Sequence, residues 1–264
     1  MQLPEPASVE RDRTPGPSAS HLALLVDFDN AFPRPVENAA EMATAINRLL
    51  WCGLDLYRGV SLVDIRLYGG WLDEGVLTNR ASAIHAAIGG MPTVFPLPHP
   101  YRAGLLRGQI QLVTRLVGIP GLEWRHTLRH RSGLPHVALS EKPFPIGCVH
   151  ESNDCPVRLL QKLARRPARE CHATGCHVTN RSAFRVPEQK MVDTMLCCDA
   201  WALSSSGSVV IVVSSDMDLL PAVATLGVSA PGRVALVRSS KDSAMEYEEE
   251  LKDLRIAIVD WELA

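Results

Sequence analysis

An α/β protein built on a central, mostly parallel sheet is what the sequence predicts, and three observations carry the prediction. Short apolar runs alternate with amphipathic stretches of helical period over residues 21–90, the order of strand, helix, strand, helix that builds a parallel sheet. The run SVVIVVS at 208–214 lacks any polar alternation, as a strand covered on both faces should. Two of the apolar runs also end in carboxylates, which is where open parallel sheets collect their functional groups.

The elements follow in order. Residues 1–20 mix Pro, Ser, Glu and Arg without periodicity and are expected to form a disordered N-terminal arm, because such a segment buries too little to offset its ordering entropy. HLALLVD at 21–27 reads as a buried strand. After Pro33 and Pro35, the residues Ala39, Met42, Ala43, Ile46, Leu49 and Leu50 recur at helical spacing, predicting a helix over 36–50. LVDIRLY at 62–68 alternates as a second strand, and 78–88 reads as a helix closed by Gly89 and Gly90. Residues 109–117 fit strand and helix equally well. Pro187 suits the first turn of a helix running to about Leu203, since its missing N–H costs nothing there. The strand at 208–214, a helix over 219–226, strands at 233–237 and 256–259 and a charged helix between the last two complete the chain.

Residues 21–264 are thus expected to form one domain with an insertion at about 127–186. No apolar run approaches the ~20 residues that cross a bilayer, and the N-terminus is charged and Pro-rich rather than an apolar signal, so the expectation is a cytoplasmic protein with no membrane partner. Seven cysteines are an odd number, and the adjacent Cys197 and Cys198 fall in a helix expected to be buried; both facts argue for thiols or a metal site over a disulfide framework. Charge is unevenly placed. Residues 125–169 hold nine Lys/Arg against Glu141, Glu151 and Asp154, a local balance of +6, while 242–264 hold eight acids against Lys252 and Arg255, a balance of -6. That split fits a basic track for a polyanion on an acidic body, and it also fits ordinary solvated surface.

The chemistry-bearing pattern is acidic. One strand runs into Asp27-Phe28-Asp29-Asn30 and another into Ser215-Asp216-Met217-Asp218, and the carboxyl ends of parallel strands face one crevice. Like charges held within a few ångströms repel by about 1 to 4 kcal/mol per pair, which a hard divalent cation with oxygen ligands removes. A single aspartate at a strand end is usually a turn or cap residue, and Asp193, in an apolar helix, could simply face solvent; the joint pattern is what carries weight.

These residues resemble a known family. Val26-Asp27-Phe28-Asp29-Asn30 is similar to the opening strand motif of NYN domains, Lys190-Met191-Val192-Asp193-Thr194 to their Lys-x-Val-Asp motif, with Asp199 at a position often acidic there, and Ser214 to Val223 to their Ser-x-Asp-x-Asp-Phe-x-Pro segment, with Leu219 where Phe is common. The resemblance implies a PIN-like three-layer α/β/α sandwich with a central mostly parallel sheet, metal-dependent RNA cleavage, and active-site roles for Asp27, Asn30, Asp193, Asp216 and Asp218. Asp27, Asp193 and Asp216 would hold Mg²⁺ or Mn²⁺, with Asp218 and Asn30 orienting ligands or water. The segment 127–186 exceeds what a minimal domain of that family needs.

Within that segment Cys148, Cys155, Cys171 and Cys176 are the simplest candidate ligand set for a structural Zn²⁺, with His150, His172 and His177 nearby. Their spacings are not the tight pairs of common zinc ribbons, and a free cysteine is also an ordinary core residue. Arg158, Lys162, Arg165 and Arg166 could line an RNA path, with Arg169 beside them and Lys190 on a backbone phosphate; their helical spacing with Leu159, Leu160 and Leu163 fits a plain amphipathic helix as well. RNA is the expected partner, with a second copy of the chain or a partner protein as further candidates. Two rival functions stand beside the nuclease: a haloacid-dehalogenase-like phosphatase with Asp27 as nucleophile and Asp29 as acid/base, and a non-catalytic RNA-binding module.

Overall fold

The computed structural model describes residues 20–32, 38–91, 95–132, 185–189, 191–238 and 247–261. The chain divides into two compact units, residues 1–127 with 191–264, and residues 128–190.

The first unit opens with β1 (His21–Asp27), a one-turn helix α1 (Phe28–Ala31), α2 (Ala39–Leu56), β2 (Leu62–Tyr68), the small pair β3 (Leu72–Asp73) and β4 (Val76–Leu77), and α3 (Asn79–Gly90). It continues through β5 (Leu97–Pro98), β6 (Leu105–Leu112) and the hairpin β7 (Arg115–Leu116) and β8 (Ile119–Glu123). In the second unit, the described residues form β9 (Leu128–Ser132) and β10 (Arg185–Gln189), an antiparallel pair. The first unit resumes with α4 (Val192–Ser205), β11 (Val209–Val213), a 3-10 turn (Met217–Leu219), α5 (Leu220–Ser229), β12 (Val234–Arg238), α6 (Glu248–Asp253) and β13 (Ala257–Asp260).

Seven of these strands form one sheet in the order β13-β12-β11-β1-β2-β6-β5, parallel throughout except where β5 meets β6. Side chains alternate across it, as strand geometry requires. Leu22, Leu24 and Val26 of β1 join a core with Met42, Ile46 and Leu49 of α2 and Ala81 and Ile84 of α3. Ala23 and Leu25 join a second core with Met195, Leu196 and Ala200 of α4, Val223 of α5 and Leu251 of α6. The sheet is therefore covered by helices on both faces, which is why β1 and β11 read as unbroken apolar runs. Among the described residues, no helix is long and apolar enough to cross a membrane.

Helix α2 starts later than its periodicity predicts, at Asn38, whose side chain caps the N–H groups of Ala40 and Glu41, and it runs six residues past Leu50. Gly53 makes the extension compatible with close packing, since a Cβ there would stand 2.9 Å from Leu22. The open segment 109–117 resolves into the end of β6 followed by the first strand of a hairpin. One expectation is corrected. Pro187 lies in β10 opposite His130, where a ring lacking an N–H is tolerated, and α4 begins at Val192 instead. Met191, with φ at 65° in the left-handed region, makes the turn into that helix. For a residue with a side chain this conformation costs about 1 to 2 kcal/mol. Cys198 is also exposed and Cys197 half-buried, so the pair is not the buried one expected; both are free thiols.

Candidate metal centre

The site follows from register. In the parallel pairing of β1 with β11, Val26 stands opposite Val213, so Asp27 and Ser214 leave the sheet side by side. The Ser214 hydroxyl donates to Asp27 Oδ2 at 2.8 Å, and Asn30 Nδ2, one turn on in α1, donates to the same oxygen at 2.7 Å. Asp27 is 2% exposed, and these two bonds orient a carboxylate that burial would otherwise destabilise. Ser214 Oγ in turn accepts the Asp216 N–H at 3.0 Å, and Asp216 Oδ1 accepts the Asp218 N–H at 2.9 Å. A chain of local hydrogen bonds therefore carries the backbone from the end of β11 into the 3-10 turn and fixes the Asp216 side chain.

The third carboxylate comes from the helix packed on one face of β1 and β11. Asp193 is in the first turn of α4, where the unpaired N–H groups favour a negative charge. One carboxylate oxygen each from Asp27, Asp193 and Asp216 lie within 4.8 Å of one another. Three oxygens on three separate elements within that span form a hard, anionic donor set, which fits Mg²⁺ or Mn²⁺ rather than a soft metal. Asp218 is exposed beside the triad and outside it, near enough for its charge to act on Asp193. Asn30 contacts Asp27 and acts on the triad through it.

The electrostatics record crowding. Burial raises the Asp27 pKa above the usual aspartate range, against the lowering effect of the Asn30 and Ser214 hydrogen bonds, and the charge of Asp29 adds to the rise. Asp193 is raised by burial and then by the charges of Asp27, Asp216 and Asp218. Both carboxyls keep their protons to higher pH in the folded chain than in the unfolded one. The stability they contribute is thus full below the ordinary value of 3.8 and is lost as pH rises through the raised values. A divalent cation competes with those protons. The thermal shift given by Mn²⁺ over EDTA is therefore expected to grow between pH 4.5 and 7.5. A shift of equal size at both pH values would exclude these carboxylates as the binding groups.

Comparisons with protein-family models, curated proteins and solved structures give no match.

Of the other residues singled out in the sequence, Cys148, Cys155, Cys171, Cys176, Arg158, Lys162, Arg165, Arg166 and Lys190 lie outside the described residues. Asp199 does not join the cluster. It is wholly buried, and its Oδ2 accepts from Arg66 Nη2 at 2.5 Å, Arg66 Nε at 3.1 Å and the Tyr68 hydroxyl at 2.8 Å. Its Oδ1 accepts the Val117 N–H at 2.7 Å. Asp29 turns to Arg80, with which it forms an ion pair.

The sequence also gave no sign of a second polar constellation, at the opposite edge of the sheet. His21 Nδ1 is 2.8 Å from Ser208 Oγ, and its Nε2 is 3.1 Å from Asp64 Oδ2. This has the membership of a nucleophile, base and acid, but Ser208 is 3% exposed and Ser206 Oγ lies 3.3 Å from its hydroxyl. The arrangement ties the starts of β1, β2 and β11 together.

Proposed function

We propose that this chain is a metal-dependent ribonuclease of the NYN type with a PIN-like fold. The observation that carries the reading is the gathering of Asp27, Asp193 and Asp216 within 4.8 Å at the carboxyl edge of a parallel sheet. Those three side chains would hold one or two Mg²⁺ or Mn²⁺ ions. Such a metal, when bound, lowers the pKa of its water and offsets charge on the scissile phosphate. Asp27 is oriented by the Asn30 amide and the Ser214 hydroxyl, both on Oδ2, and by the Asn30 backbone N–H. The Asp218 N–H fixes Asp216, while the exposed Asp218 carboxylate would orient water or a ligand near the metal. Free thiols at Cys52, Cys197 and Cys198 fit action in a reducing cytoplasm.

The phosphatase reading would need Asp29, ion-paired with Arg80, as its acid/base. The deciding experiment incubates end-labelled single-stranded and structured RNA with the purified chain in Mg²⁺, Mn²⁺ or EDTA. Cleavage that needs metal is the expected result. Intact RNA that is nonetheless bound would leave the binding module, and a trapped phosphoaspartate would establish the phosphatase.

A further inference from the structure

Asp29 and Asp218 stand close enough to Asp27 and Asp193, respectively, for their charges to act on them, so five carboxylates surround the site. A nucleic-acid phosphate approaching them meets repulsion that one or two divalent ions offset only in part. A fixed cation at the rim would complete the balance. Among the described residues, Arg80 is the Lys or Arg ion-paired with one of the five.

Two contacts hold Arg80, both to the short helix that follows Asp27. Its Nη1 pairs with Asp29 Oδ1, and its guanidinium carbon lies 5.2 Å from the ring centre of Phe28, itself 2% exposed. The guanidinium engages Asp29 through one oxygen only, for Asp29 Oδ2 is buried without a hydrogen-bond partner. The Arg80 side chain keeps 46% of its surface exposed, and a guanidinium carries five N–H donors. An ion pair this exposed contributes little to stability. A planar guanidinium held over an aromatic ring and pinned at one nitrogen is, however, well prepared to take a phosphate with its remaining donors.

We infer that Arg80 is a phosphate-docking residue for the nucleic-acid strand on which the aspartate site acts. The inference rests on the nuclease reading for its substrate class. Asp29 is then the resting counter-ion that the incoming phosphate displaces from the guanidinium. Sequence reasoning missed the pair because 51 positions separate its members.

The test measures binding of a fluorescent 12-nucleotide single-stranded RNA by anisotropy, in EDTA and in Ca²⁺, across a salt series, so that affinity is read without turnover. Arg80→Ala is expected to weaken binding about tenfold, the size of one charge-assisted hydrogen bond. It should also reduce the salt slope by about 0.7, the value for one phosphate contact on a single strand. Arg80→Lys should restore the slope and part of the affinity. Asp29→Asn, which breaks the pair but keeps the cation, should bind at least as well as wild type; a merely structural pair would make it resemble Arg80→Ala. Unchanged affinity and slope in Arg80→Ala overturn the proposal, even if the wild type cleaves RNA. A wild type that cuts no RNA, in a series where Arg80→Ala still loses affinity and slope, overturns the nuclease reading and leaves the docking residue standing. No binding by the wild type under any condition overturns both.

Discussion

Replacing Asp27 by Asn is expected to reduce metal-dependent RNA cleavage by about a thousandfold or more, and at the same time to raise the melting temperature of the metal-free protein. The two effects have one cause. In the ribonuclease site proposed above, loss of the Asp27 carboxylate would remove several kcal/mol of transition-state stabilisation, and each 1.36 kcal/mol is tenfold in rate. Yet the same carboxylate is 2% exposed, and burial and the charge of Asp29 disfavour its ionised form. An Asn of equal size can accept from Asn30 and Ser214 with its single oxygen and turn its amide toward Asp193 and Asp216, replacing repulsion by hydrogen bonds.

Asp27→Ala should behave differently. It abolishes cleavage equally but leaves the Ser214 hydroxyl and the Asn30 amide without their acceptor, a loss of about 1 to 3 kcal/mol in stability. Cleavage rates and melting curves in EDTA for both variants decide the matter. Cleavage by Asp27→Asn within threefold of wild type would remove Asp27 from the site, and a melting temperature as low as that of Asp27→Ala would remove the repulsion argument. Asp193→Asn and Asp216→Asn should lose cleavage comparably, with smaller changes in stability because both positions are more exposed.

Five of the seven strands, β1, β2, β11, β12 and β13, were legible because they are apolar runs or alternate; β5 is too short and the mixed residues of β6 fit strand and helix alike. The bounds of β1 and β2 coincide with the predicted 21–27 and 62–68. So was the convergence of Asp27 with Asp216, since adjacent parallel strands must end at the same edge. The approach of Asp193 was expected from the joint acidic pattern, although nothing in the spacing of α4 reveals which end of the helix meets the sheet edge. Helix limits were less visible. The cap at Asn38 and the close packing at Gly53 are contacts, not periodicities. Pro187 misled for a related reason: a residue without an N–H suits both a first helical turn and a strand lacking a ladder donor, and only pairing with His130 distinguishes them. The short pairs β3–β4 and β7–β8 are below the length at which any period can be read. The Asp29–Arg80 and Asp199–Arg66 pairs join residues 51 and 133 positions apart, so no window on the sequence contains both partners.

That last pair yields the largest expected effect on stability. Arg66 is 6% exposed, and besides Asp199 its Nη2 donates to the Arg115 carbonyl at 3.0 Å and its Nε to the Tyr68 hydroxyl at 3.1 Å. The network joins β2, α4 and the β7–β8 hairpin, and through α4 it holds the helix that carries Asp193. Six residues, about 9 Å of helix at 1.5 Å each, separate the two aspartates. Asp199→Ala strands a buried guanidinium and should cost about 3 to 5 kcal/mol, read as a lower urea midpoint. It also removes the acceptor of the Val117 N–H, so exchange of that amide should accelerate beyond the global effect. Replacing the partners together, as Arg66→Met with Asp199→Leu, removes the desolvation of both charges and should recover part of the loss, since the Val117 N–H, the Tyr68 hydroxyl and the Arg115 carbonyl still lose their partners. In a double-mutant cycle this appears as a coupling well above the ~0 to 1 kcal/mol of an exposed pair. A loss below 1 kcal/mol for Asp199→Ala would mean that water reaches Arg66 and that the buried pair is not what anchors α4. If the double variant is stable and still shows the Mn²⁺ thermal shift, sheet packing alone places Asp193; if the shift disappears in a stable protein, the Asp199 network is what holds the metal-binding end of α4 in register with the sheet.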